Sequence, residues 1–184
     1  MTGPTELQQP SSLDRLYEQI SEAISADQPE LAGQLIQDSD PYEFSLFVQA
    51  LYLSGYTLLA KEKLLTLKTS LLRRPHAPYL ELAFIWADIC YEEGRFDEAA
   101  PILEAIAEQS PHFAAARFGA AACQLRQAIA RLERRVKLYH PPQTEAEKIA
   151  KYIEQCHDML ELVQESDWRV CWSGSRIQTD RFSA

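Results

Sequence analysis

The sequence predicts an all-α protein, a stack of antiparallel helical hairpins, on three observations. Apolar residues recur at helical spacing along most of the chain: Leu13, Leu16, Ile20, Ala23 and Ile24, then Phe44, Phe47 and Leu51, then Leu82, Ile85 and Ile89. Sustained strand alternation is absent before residue 167. Helix breakers stand at regular intervals, with Pro29, Asp40-Pro41, Gly55, Pro75 to Pro78, Gly94, Ser110-Pro111 and His140-Pro141-Pro142 cutting the chain into helices of ordinary length.

A chain of 184 residues, 46% hydrophobic and 24% charged, with only six glycines, suits one folded helical domain better than a disordered or many-turned β protein. The domain is expected over residues 13–166, with a polar, proline-bearing arm at 1–12 and a tail at 167–184. The opening MTGPTELQQPSSLDR lacks the basic start and apolar run of a signal peptide. Even YLELAFIWADICY is interrupted by Glu81 and Asp88, so no membrane insertion is expected. Cys90, Cys123, Cys156 and Cys171 form no CxxC pair and read as free, mostly buried thiols, which favours a cytoplasmic compartment.

The hairpins are expected at about 13–40, 41–75 and 79–111, with a long hairpin at 112–166. The segment YEEGRFDEAAPILEAIAEQSP shows the logic of the third. Gly94 can take the left-handed conformation that ends the helix holding Trp86 and Tyr91, and Asp97 can cap the next helix. Pro101 then falls early in that second helix, where its missing N–H has little to pair with, and Pro111 closes it. A hairpin of this kind cannot bury its apolar face alone and should repeat. Gly55 precedes Ala60 by five residues, as Gly94 precedes Ala99, and Phe84 and Ala87 have counterparts 34 residues on in Phe118 and Ala121.

On Trp86, Ala87, Gly94, Phe96, Ala99, Leu103 and Pro111, residues 80–111 resemble the tetratricopeptide repeat family. Residues 41–75 keep Phe44, Phe47, Gly55, Ala60, Leu64 and a delayed Pro75, and residues 13–40 keep little beyond Ala32. After Pro111 the pattern stops. Leu125, Ile129, Leu132, Val136 and Tyr139 continue one stripe, predicting a single helix from about His112 to Tyr139. A capping box of Thr144 and Glu147 opens the last helix, striped by Ile149, Ile153, Cys156, Leu160 and Val163. In the tail, Trp168, Val170 and Trp172 alternate with Arg169 and Cys171. A short β-hairpin and an irregular tail packed on the last helix both fit, and two tryptophans so close together should meet either this protein or another.

Charge comes in blocks. The net charge is −9, yet residues 61–80 carry five bases against one acid and residues 117–140 six against one. Overall acidity argues against nucleic acid as a partner. A catalytic or metal role lacks convergent groups. His76, His112 and His140 sit beside prolines, His157 adjoins Cys156 on a helix where the two cannot readily pair, and no HExxH, phosphate loop or nucleophile elbow appears. Glu92, Glu93, Asp97 and Glu98 lack the ligand spacing of a calcium loop and read as solvated acids. No catalytic residue, metal or cofactor is expected.

The resemblance implies instead a concave surface lined by the first helix of each unit, placing there Tyr42, Ser45, Gln49, Tyr52, Glu81, Phe84, Asp88, Tyr91 and Phe118. Family members that clamp a terminal carboxylate use Lys, Asn and Arg at comparable places, and here Ser45, Gln49, Phe84 and Asp88 stand there. An aromatic and acidic groove suits an apolar segment with basic flanks, taken from another protein as an extended peptide or amphipathic helix. Each aromatic fits equally well as core between helices. The expected function is a non-enzymatic adaptor or chaperone, similar in outline to the bacterial chaperones that hold translocator proteins before type III secretion. The alternative is a structural or assembly subunit docking through helix 126–137 and a tail carrying Trp168 and Trp172. The sequence leaves homo-oligomerisation open.

Overall fold

The computed structural model describes residues 11–37, 40–111 and 113–165, and helix is the regular structure among them. The expected β-hairpin or packed tail at 167–184, with Trp168 and Trp172, lies outside the described residues, as do His112 and most of the N-terminal arm. Where one stack over 13–166 is expected, the contacts divide into two compact units, Met1–Thr66 and Leu67–Ala184.

The first unit holds α1 (Ser12–Ser25), α2 (Pro29–Gln34), α3 (Pro41–Leu53) and α4 (Thr57–Leu65). Its first helix opens on a capping box in which the Ser11 hydroxyl accepts from the Asp14 amide at 3.2 Å and Asp14 accepts from the Ser11 amide at 3.0 Å. The stripe then does what its spacing predicts, with Ile20, Ala23 and Ile24 buried where α1 packs on α2 and α3. Pro41 stands in the first turn of α3, where no N–H is needed, and Asp40 caps it by accepting from the amides of Tyr42 (2.8 Å) and Glu43 (3.2 Å). The Tyr56 hydroxyl donates to the Asp27 carboxylate, tying the α3–α4 turn to the bend after α1.

The second unit holds α5 (Thr69–Arg73), α6 (Leu80–Glu92), α7 (Phe96–Gln109), α8 (Ala114–Tyr139) and α9 (Gln143–Glu165). Consecutive helices pack from α5 through α9. The division falls inside the expected 41–75 hairpin: α3 and α4 belong to the first unit, whereas α5 packs on α6 and α7. The long helix forms as expected and ends at His140, whose φ of 42° is left-handed. Arg135 and Glu145, 2.7 Å apart, join α8 to the start of α9 across the Pro141-Pro142 link.

Gly55 and Gly94 build the same turn. With φ of 86° and 75° they are the left-handed residues after α3 and α6. The Gly55 amide donates to the Tyr52 carbonyl (3.1 Å) and the Tyr56 amide to Leu51 (2.9 Å); Gly94 repeats this on Tyr91 (3.0 Å), as does Arg95 on Cys90 (2.8 Å). This paired bonding is the Schellman closure, which satisfies carbonyls the helix end would leave bare. No atom stands within 4 Å of a Cβ built on either glycine, so the backbone conformation alone requires glycine there.

Three local expectations are corrected. Asp97 is not the cap of α7, which starts at Phe96 with no side-chain cap at Arg95; Asp97 and Glu98 instead place negative charge in the first turn. Pro101 is therefore the sixth helical residue, deep enough to remove a bond to the Asp97 carbonyl, and the cost is tolerable because both residues are exposed and water can reach that oxygen. Thr144 lies inside α9 rather than at its cap, and Glu147 accepts from the Gln143 amide group at 3.2 Å.

Gly55→Ala and Gly94→Ala are each expected to lower stability by about 1–2 kcal/mol through the strain of a left-handed alanine, and the asparagine variants by less. Urea unfolding followed by circular dichroism measures both.

Candidate interaction surface

The residues expected to line a groove separate into two sets. On α3, Tyr42 is 44% exposed, while Gln49 and Tyr52 are half-buried. Ser45 is buried, and its hydroxyl accepts from the Gln49 amide at 3.0 Å, so these two polar groups pair one helical turn apart. In the second unit, Phe118 on α8 is 40% exposed. Glu81 is half-buried, and burial, partly offset by a backbone hydrogen bond, pushes its carboxyl above the ordinary carboxylate range.

The remaining α6 residues are interior. Phe84 is 1%, Asp88 3% and Tyr91 6% exposed. Phe84 sets its ring edge-on to Phe113 at 5.0 Å, and Tyr91 does the same to Phe96 at 5.2 Å, contacts that lock α6 to the connections on either side of α7. A partner cannot touch these rings while the chain keeps this packing. The reason is partly legible in LELAFIWADICYE: apart from a line of acids through Glu81, Asp88 and Glu92 the segment is apolar, and a helix with so wide an apolar surface belongs largely in an interior. The family's positions pick out one face of such a helix and do not say what covers it.

Arg95 is the residue that sequence reasoning missed. It stands at the turn between α6 and α7, 2.8 Å from Glu93 and 3.0 Å from Glu98, with its guanidinium 5.3 Å from the centre of the Trp86 ring. Two of the four clustered acids are thereby matched to one cation held over an indole. A lone base inside an acidic run was the available signal.

Further along, the Gln127 side chain donates to the Phe96 carbonyl at 3.0 Å, which brings α8 level with the first residue of α7. Residues 128–139, about 18 Å of helix, continue past that point beside α9. Ile129 and Ile149 are buried where the two helices pack, whereas Arg131, Arg134, Arg135 and Lys137 are exposed. The expected basic stripe at 126–137 thus lies largely on a projecting helical pair, with Leu138 and Tyr139 exposed at its tip.

Groups capable of covalent chemistry are held apart or muted. Among the described residues no cluster of three or more His, Cys, Asp and Glu side chains is placed to hold a metal ion. His76 packs edge-on to Tyr79, and His157 is exposed on α9. Burial, helped by the neighbouring Cys90 and Asp88, pushes the Cys123 thiol up to about 12, so it stays protonated and a poor nucleophile at neutral pH. No described helix is long and apolar enough to cross a membrane.

Within each unit, helices joined by a left-handed glycine turn bury their faces on one another, the pattern of a helical-repeat fold. Residues 91–133, which hold the Gly94 turn, α7 and much of α8, match the tetratricopeptide repeat family. The similarity continues past Pro111, where the sequence pattern is expected to stop, and takes in the first part of the long helix. Neither the curated proteins nor the solved structures contain a match to the chain.

Two outcomes are expected. The Glu81 carboxyl is protonated more readily in the folded than in the unfolded chain, so its contribution is fully present below about pH 4.5 and is lost as pH rises through the folded value. Glu81→Gln should therefore raise the urea midpoint at pH 7 and flatten its decline above pH 4.5. In maleimide labelling of the native protein read by peptide mass spectrometry, half-buried Cys156 should react well ahead of buried Cys90 and Cys123.

Proposed function

We propose that the chain is a non-enzymatic adaptor or chaperone that holds an apolar segment with basic flanks from a partner protein. The observation that carries this is the tetratricopeptide repeat at residues 91–133, a unit built to be stacked into extended binding surfaces. Because Ser45, Phe84, Asp88 and Tyr91 are interior, the reading rests on the accessible members of the original set: Tyr42, Gln49 and Tyr52 on α3, and Glu81 and Phe118 in the second unit. The net charge of −9 supports a basic flank, since opposite charge speeds encounter and excludes acidic competitors. Free thiols at Cys90, Cys123 and Cys156 suit a cytoplasmic, reducing setting.

A second reading, an assembly subunit docked through helix 126–137 and the tryptophan-bearing tail, is favoured by the exposed arginines on the projecting part of α8.

Fluorescence anisotropy with labelled apolar peptides carrying basic or acidic flanks tests the first reading. The basic-flanked peptide should bind, more weakly as salt rises. Phe118→Ala and Tyr42→Ala should each weaken it by about fivefold or more with helicity unchanged. Equal capture of the acidic-flanked peptide, or no binding by either, overturns this reading. Loss of a native assembly on Arg131→Glu with Arg134→Glu, with Phe118→Ala harmless, establishes the second.

A further inference from the structure

The far end of the α8–α9 hairpin reverses the sign of the chain. Residues 128–152 hold six bases against three acids in a protein of net charge −9. On α8 the exposed bases are Arg131, Arg134, Arg135 and Lys137. The Arg135–Glu145 pair sets the start of α9 beside them, which brings exposed Lys148 and Lys151 level with the stretch from Ile129 to Leu132. Distance protects this charge. The end of α8 lies about 15 Å beyond Gln127, which is level with the acid cluster of the α6–α7 turn, and that is about two screening lengths at physiological salt. At the tip itself Leu138 is 59% and Tyr139 76% exposed, in the last turn of α8 before the left-handed His140.

We infer that this tip docks on an anionic lipid surface, with Leu138 and Tyr139 among the headgroups and the arginines and lysines reaching the lipid phosphates. The shape favours a membrane over an acidic protein segment. Consecutive helical residues point about 100° apart, so a groove that receives one of Leu138 and Tyr139 leaves the other in water, whereas a headgroup layer closes round a protruding end and covers both. The bases are spread in the same way. Arg134, Arg135 and Lys137 take up roughly half the circumference of α8 instead of one stripe. Long cationic stems around a leucine and a tyrosine suit the interface, where the stems lie along apolar chains with their charge among the headgroups, and a tyrosine keeps its ring dry and its hydroxyl wet. Anionic lipid adds attraction across the whole ring of bases. The contact is superficial, since no described helix is long and apolar enough to cross a membrane. It goes beyond both readings of function, giving the projecting pair an occupant other than a protein assembly and leaving peptide binding to other side chains.

Co-sedimentation of the full chain with sucrose-loaded vesicles tests this, using phosphatidylcholine alone and phosphatidylcholine mixed three to one with phosphatidylserine. The mixed vesicles should bind the protein at least about tenfold better, and less as salt rises. Arg131→Glu with Arg134→Glu should reduce that binding to the phosphatidylcholine level. Leu138→Ser with Tyr139→Ser should weaken it by about fivefold or more, both at unchanged helicity. Equal binding to the two vesicle types overturns the inference, as does a serine variant that binds like the native chain. No binding to either vesicle type also overturns it, and capture of labelled polyglutamate through Arg131 and Arg134 in that case assigns the patch to an acidic protein segment. Should the glutamate variant lose helicity, Arg134→Gln alone is decisive, with binding to the mixed vesicles expected to fall by about twofold or more.

Discussion

Seven of these helices are too short to persist by themselves. Helices below about 12–15 residues are marginal in water, and α1 to α7 run from five to fourteen. What holds them is mutual burial, and in the second unit that burial works at close range. Ala83, Ala87, Ala99, Ala115 and Ala116 are nearly inaccessible, so helix backbones approach one another while Phe84, Leu103 and Ile106 fill the spaces left between small side chains. A bulky residue in place of any of those alanines would have to push two helices apart.

That dependence explains why the architecture could be read from the sequence. Glycine and proline mark where a short rod must stop, and the rods themselves are periodic, so helix positions, the two glycine turns and the length of α8 follow from pattern alone. The misplacements are local and have a common origin. Asp97 and Thr144 look like caps because their residue types favour caps, yet Phe96 packs on Tyr91 and the Pro142 carbonyl receives the first amides of α9, so each helix begins one or two residues earlier. Side-chain preference lost to packing in one case and to backbone bonding in the other.

The interaction surface was less legible for a different reason. Residue type and family register can say that an aromatic lies on a given helix face, but they cannot say whether another element covers that face. Phe113 and Phe96 cover Phe84 and Tyr91, and both are loop-edge residues whose direction no periodicity sets. Tyr42 and Phe118, with the same chemistry and comparable spacing, remain accessible. Sequence leaves each aromatic open between groove and core, and the packing decides it residue by residue.

Arg95 shows how much one side chain can settle at a junction. Its planar fork reaches carboxylates before and after it in the chain while its face lies against Trp86, so three directions in space are fixed by a single group. A lysine would retain the charge and lose the plane. The junction between α6 and α7 therefore demands a particular shape of cation, and the swing of one rod about the other is governed at the hinge itself as well as along the packed faces.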